Sequence, residues 1–243
     1  MIMLKLIKVE LKTLFKWKAT KYTMFFLCLL AAMVSGLNIL NEEQAISGIF
    51  AFPSVILIIA SAIAGLFTYL DYSQNTIRNK IIVGHSRLEV YFAKVITNTV
   101  LDVFLVAIFM IVFCTIGVLC LDTEYVVWRI FWENCLIVLS STFVVSALTS
   151  MIAINIKSPL GGLLPMMFIS SILFSGIFGV EMLYTYDAIE TAEIIQSIPM
   201  ICLTSISEIS VPENIWTIVT IGYSVTVIFV VMGYLLFRKA DLK

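Results

Sequence analysis

The sequence predicts an all-α integral membrane protein with six transmembrane helices. Three observations carry that expectation: an apolar composition, six long runs almost free of charge, and a split of basic from acidic residues between the two sides those runs define. Of the 243 residues, 61% are hydrophobic and 13% charged, against about 45–50% and about 25% in soluble domains. Mean hydropathy is +1.07. A water-soluble fold of this length has too little interior for so much apolar side chain, whereas a bilayer accepts it. The net charge of −1 says little, because placement matters more than the sum.

A helix that crosses the hydrocarbon layer takes about 20 mostly apolar residues. Windows of that kind fall at about 22–40, 50–70, 95–120, 134–156, 159–180 and 214–237, all in one domain spanning 1–243. They are uninterrupted, unlike the alternating segments of about ten residues that build a barrel, so helices are expected. Only the third carries a charge, Asp102. The apolar run after the lysine-rich start is longer than the 7–15 residues of a secretory leader, and no A-x-A site follows. An uncleaved first helix is the expectation. A seventh apolar stretch, 194–207, holds Pro199 and is too short to span; it reads as a re-entrant or interfacial piece of the 181–213 connection.

Charge orients the spans. Lys and Arg in short loops stay on the cytoplasmic side. With six spans, the N-terminus, the 2–3 and 4–5 connections and the tail share one side, and they hold fourteen of the fifteen basic residues; only Arg129 falls opposite. Eleven of the sixteen acids lie on the other side. Both termini are therefore expected to be cytoplasmic.

Residues 1–21 read as an amphipathic helix. In "LKLIKVELKTLFKWK" (4–18), Leu4, Ile7, Leu11, Leu14 and Phe15 fall in one stripe, with Lys5, Lys8, Lys12 and Lys16 beside it. That pattern suits a helix lying in the headgroup layer, lysines toward anionic lipid and Trp17 as an interfacial anchor. It also serves as a positive-inside leader.

Residues 71–94 separate spans 2 and 3 by far more than a hairpin turn needs. The segment reads as the end of one helix, a break around Gly84 and a restart. Ile77, Ile81, Ile82 and Val83 sit among charges of both signs. An apolar centre with a charged rim is what a protein partner reads; the alternative is a loop packed against its own helix ends.

The acid Asp71, then "NTIRNKI", "GHSR" and Lys94 entering span 3, resembles the ABC-2 type permeases, the six-helix transmembrane subunits of bacterial ATP-binding-cassette exporters. The matching positions are Asp71, Thr76, Ile77, Arg78, Ser86, Arg87 and Lys94, with Asn75 where Gly is usual; the ending "GYLLFRKADLK" is similar too. The resemblance implies a cytoplasmic coupling helix in 71–94 that docks on a separate ATPase subunit through Asp71, Thr76, Arg78, Lys80, Gly84, His85, Ser86, Arg87 and Glu89. It implies an in-plane N-terminal helix, short extracellular helices between spans 5 and 6, and pairing with a second permease copy or homologue in the cell membrane. Replacing Arg87 or deleting 78–87 is then expected to uncouple the ATPase.

No G-x-x-x-x-G-K-[ST] occurs, so this chain is expected to carry no cofactor, with ATP and Mg on the partner. An enzyme is disfavoured by a single histidine and the lack of HExxH or GxSxG. Five scattered cysteines without a CxxC pair argue against metal; they read as apolar filler, with a disulfide open among Cys120, Cys135 and Cys202. Nucleic acid is not an expected partner. Asp102 marks a polar pathway or pairs with Lys94, Asn98 or a neighbouring helix end. Spans without rings of charge suit an apolar or amphipathic cargo such as a peptide, antibiotic or lipid. The competing function is an ATP-independent channel or secondary transporter.

Overall fold

The computed structural model describes residues 2–40, 49–50, 52–120, 128–186, 188–204 and 214–240. Ten helices occur among them, and no strand. They are α1 (Ile2–Lys16), α2 (Lys18–Leu40), α3 (Pro53–Ser73), α4 (Thr76–Ile82), α5 (Arg87–Cys120), α6 (Trp128–Asn155), α7 (Pro159–Thr185), α8 (Ile189–Gln196), α9 (Pro199–Cys202) and α10 (Ile215–Lys239). Six of these, α2, α3, α5, α6, α7 and α10, are long and apolar enough to cross a membrane. The six-span, all-helical expectation holds. The helices outrun several expected windows: α5 starts at Arg87 rather than near 95, and α7 continues to Thr185 rather than 180.

At the centre stands α6, which packs against α3, α5, α7, α9 and α10. From Ser140 to Ser150 only Phe143 is incompletely buried. This helix is rich in Ser and Thr, and hydroxyls at its middle bond the preceding turn: Ser141 Oγ to the Ile137 carbonyl at 2.9 Å and Thr142 Oγ1 to that of Val138 at 2.7 Å. Small, internally satisfied side chains let neighbouring helices approach closely where lipid offers no hydrophobic drive. The "SPLGG" start of α7 uses the same device. Ser158 caps it by accepting from the Gly161 N–H at 3.3 Å, and Gly162 lies against Gly65 of α3. A Cβ built on Gly65 would run into the Gly162 carbonyl oxygen. The glycine pair serves close packing of α3 on α7.

In the half of the bundle where α6 begins, the 194–207 stretch resolves into part of α8 and all of α9; residues 205–213 lie outside those described. Pro199, Met200, Ile201 and Cys202 are all buried. Ser141 Oγ donates to the Pro199 carbonyl at 2.7 Å, and Cβ atoms on Gly176 and Gly222 would meet Ile201 and Pro199. The short helix therefore sits between α6, α7 and α10, level with Ser141. Cys28, Cys114, Cys135 and Cys202 carry thiols rather than disulfides, which removes Cys135 and Cys202 from the open pairing; the Cys120 side chain lies outside the described residues.

The opposite end gathers the ends of α3, α6 and α10 with the starts of α5 and α7. The Tyr72 hydroxyl donates to the Ile154 carbonyl, joining α3 to α6. Here α1 packs on α5 and α2. Its buried line is Leu6, Glu10 and Leu14, one residue per turn. Leu4, expected on the apolar stripe, is 72% exposed, while Ile7, Leu11 and Phe15 are half-buried. Lys5, Lys8, Lys12 and Lys16 are exposed. Trp17 is drawn inward, its ring centroid 5.9 Å from that of Phe67, so it packs on the bundle as well as marking the α1–α2 bend.

Candidate functional site: a buried charge cluster under a short helix

Two backbone positions with positive φ set α4 between α3 and α5. Asn75 (φ 56°) reverses the chain after α3, and Gly84 (φ 108°) reverses it after α4. Asn tolerates the left-handed region better than most side chains, and Gly enters it freely. The end of α4 is a Schellman closure: the His85 N–H reaches the Lys80 carbonyl and the Gly84 N–H the Ile81 carbonyl, each at 3.1 Å. The start of α5 is a capping box. The Glu89 N–H donates to Ser86 Oγ at 3.2 Å, and the Ser86 N–H donates to Glu89 Oε2 at 3.0 Å. The expected break near Gly84 is found, and its two neighbours, Ser86 and Glu89, are spent on starting the next helix. His85 places Nδ1 3.9 Å from Glu89 Oε2.

Beneath α4 four charges meet in the bundle interior. Lys94 Nζ is 2.6 Å from Asp71 Oδ2 and 3.8 Å from the centroid of the Phe67 ring. Lys80 Nζ is 2.7 Å from Glu10 Oε1 and 3.9 Å from Asp71 Oδ2. Thr97 Oγ1 lies 3.2 Å from Glu10 Oε2, and Thr76 Oγ1 bonds the Asp71 carbonyl at 2.9 Å with Oδ1 at 3.4 Å. Glu10 is 3% exposed and Lys94 2%. Charges this buried persist only when paired and hydrogen-bonded, and two lysines against two carboxylates leave no excess. The cluster binds α1, α3, α4 and α5 into one unit.

This geometry sorts the sequence-derived residues. Asp71, Thr76 and Lys80 turn into the cluster. Arg87 also turns inward: its guanidinium Nη1 donates to the carbonyls of Arg238 and Ala240 at 2.8 Å, with Phe237 O at 3.4 Å, and so caps the end of α10. The face left open on α4 is Ile82 and Val83, 70% and 80% exposed, with Arg78 and Gly84 exposed beside them. Glu10 escaped the sequence reading. Its signal was there: the only acid among the first 41 residues, four positions from both Leu6 and Leu14 and hence on the buried line.

Asp102 is the other correction. It does not pair with Lys94, which is held by Asp71, or with Asn98, whose Nδ2 donates to Ser150 Oγ at 3.0 Å. It is fully buried, and neither carboxylate oxygen has a hydrogen-bond partner among the described residues. No group of three or more metal-ligating side chains occurs among the described residues. No protein-family model matches this sequence, and no curated protein matches it.

Proposed function

We propose that the chain is the transmembrane permease subunit of an ATP-binding-cassette exporter, moving an apolar or amphipathic cargo out of the cell with ATP hydrolysed on a separate subunit. The observation that carries this reading is the short helix α4, rooted in a buried charge cluster and presenting Ile82 and Val83 outward. Exposed adjacent apolar side chains ringed by charge suit docking against a groove. A push on that tip reaches α1, α3 and α5 through the cluster and α10 through Arg87, a mechanical route from an external motor to the spans. In this reading α4 is the coupling helix, α1 lies in the headgroup layer, α8 and α9 cover the extracellular end, two permease copies or homologues pair, and both termini are cytoplasmic. ATP and Mg belong to the motor.

The second reading, an ATP-independent channel or secondary transporter, is favoured by Asp102, a buried acid with unpartnered oxygens inside a span. One experiment separates the two. The chain is co-expressed with a P-loop ATPase encoded beside it, and the purified complex is assayed for transport in liposomes. Wild type co-purifies with the ATPase and transports only with ATP. The double replacement Ile82→Asp, Val83→Asp loses the ATPase while remaining a folded, membrane-inserted chain. Full transport by the chain alone overturns the exporter reading.

A further inference from the structure

Beside α4, on the side away from the charge cluster, a cavity of about 250 Å³ opens between Tyr69, Tyr72, Ser73, Asn75, Arg78 and Lys157, with Ile77 and Pro159 completing its wall. We propose that it holds the phosphate of an anionic phospholipid. Among the described residues no acidic side chain lines it, whereas two cations do. The Arg78 side chain makes no hydrogen bond or ion pair within the described residues, so its forked donors remain for an oxyanion. Ser73 and Asn75 add polar groups.

The pocket is also held in shape. Tyr72 is tied to the Ile154 carbonyl and Ser158 caps α7, so both walls are fixed without a ligand. A lipid fits better than free phosphate because of what lies next to it. The pocket sits where the apolar parts of α3 and α7 meet the polar end of the bundle, with Tyr69 and Tyr72 at the boundary, the depth aromatic residues prefer. From Pro159 an exposed apolar line runs along α7 through Leu160, Leu163, Met167, Phe174 and Phe178, spaced three, four or seven residues apart on one face. Acyl chains laid on that line place their phosphate at Arg78 and Lys157. Basic pockets between spans recognise headgroups in this way.

The test needs only this chain, so its failure leaves the exporter reading standing. The protein is extracted from bilayers of equal phosphatidylglycerol and phosphatidylcholine with matched acyl chains, and retained lipid is read by native mass spectrometry. Wild type retains phosphatidylglycerol. The pair Arg78→Gln, Lys157→Gln binds it about 30-fold more weakly, from two surface charges. The pair Arg238→Gln, Lys239→Gln, which removes two exposed charges at the end of α10, retains it. No preference in the wild type, or equal loss in the two double variants, overturns the proposal. Displacement of the lipid by inorganic phosphate overturns the lipid assignment in favour of a free anion.

Discussion

Among single residues, Lys94 is the one whose removal the structure answers most clearly. The residue is 2% exposed, its ammonium bonded to Asp71 and seated over Phe67. Lys94→Met strands the Asp71 carboxylate with only the distant Lys80 ammonium, 3.9 Å away. Removing one partner of a buried pair costs about 3–5 kcal/mol, enough to lower the unfolding midpoint by roughly 10 °C in a chain of this size. Adding Asp71→Leu to Lys94→Met recovers much of that loss, because the stranded charge goes with it. Thermal unfolding of the two variants in detergent checks both statements; additive losses would show that the two side chains do not act as a pair. Lys94 and Asp71 were legible in the sequence, being charged positions at the edges of apolar runs. Glu10 carried a signal that was passed over, because the helical wheel sorted α1 by hydropathy. A carboxylate on the buried line registers as a defect in the pattern until its lysine partner on α4 is seen.

At the scale of elements, the glycines separate packing from propensity. Ala is favoured over Gly inside a helix by about 1 kcal/mol, so open space predicts a gain and a backbone neighbour predicts a loss. A methyl added to Gly36 of α2 would have nothing within 4 Å, whereas a methyl on Gly65 of α3 meets the Gly162 backbone of α7. Gly36→Ala should hold or raise the unfolding midpoint. Gly65→Ala should lower it, since overpacking costs about 1–3 kcal/mol and a rigid helix backbone cannot step aside. Equal effects at the two sites would refute the close α3–α7 contact. The six spans were readable because apolar runs of that length have one economical solution in lipid. Their ends were not, because α3, α5 and α7 continue through polar residues whose partners come from other helices. Window hydropathy registers Arg87, Glu89 and Lys94 as a loop; partners on other helices for Arg87 and Lys94, and the local cap at Glu89, make them the first turns of α5. The break at Gly84 was readable because it depends on a local backbone need. The S-x-x-E cap that follows it has an equally local signature.

For the whole molecule, the question is how movement at one end reaches the spans. The charge cluster makes α1, α3, α4 and α5 a single body at that end, but α10 is bound to α5 there chiefly by Arg87 and by Tyr91, whose ring stacks on Phe237 with centroids 6.1 Å apart. Tyr91 also abuts Gly233. Arg87→Ala removes the guanidinium and leaves the last carbonyls of α10 to water while the aromatic packing remains. Because these carbonyls lie at the polar end of the bundle, stability should fall modestly, by about 1–2 kcal/mol. The effect on work is larger if α4 is the point where a motor engages. The docking face, Ile82 and Val83, is untouched, so the ATPase should still co-purify, yet the movement of α5 reaches α10 through the Tyr91 packing alone, and transport per ATP hydrolysed should fall several-fold. Measuring ATPase binding, ATP turnover and transport on the same preparation distinguishes this outcome from loss of docking. A variant that loses the ATPase altogether would place Arg87 on the docking face and against its role as a strut. Unchanged coupling would mean that α10 follows α6, its most extensive neighbour in the bundle, rather than α5.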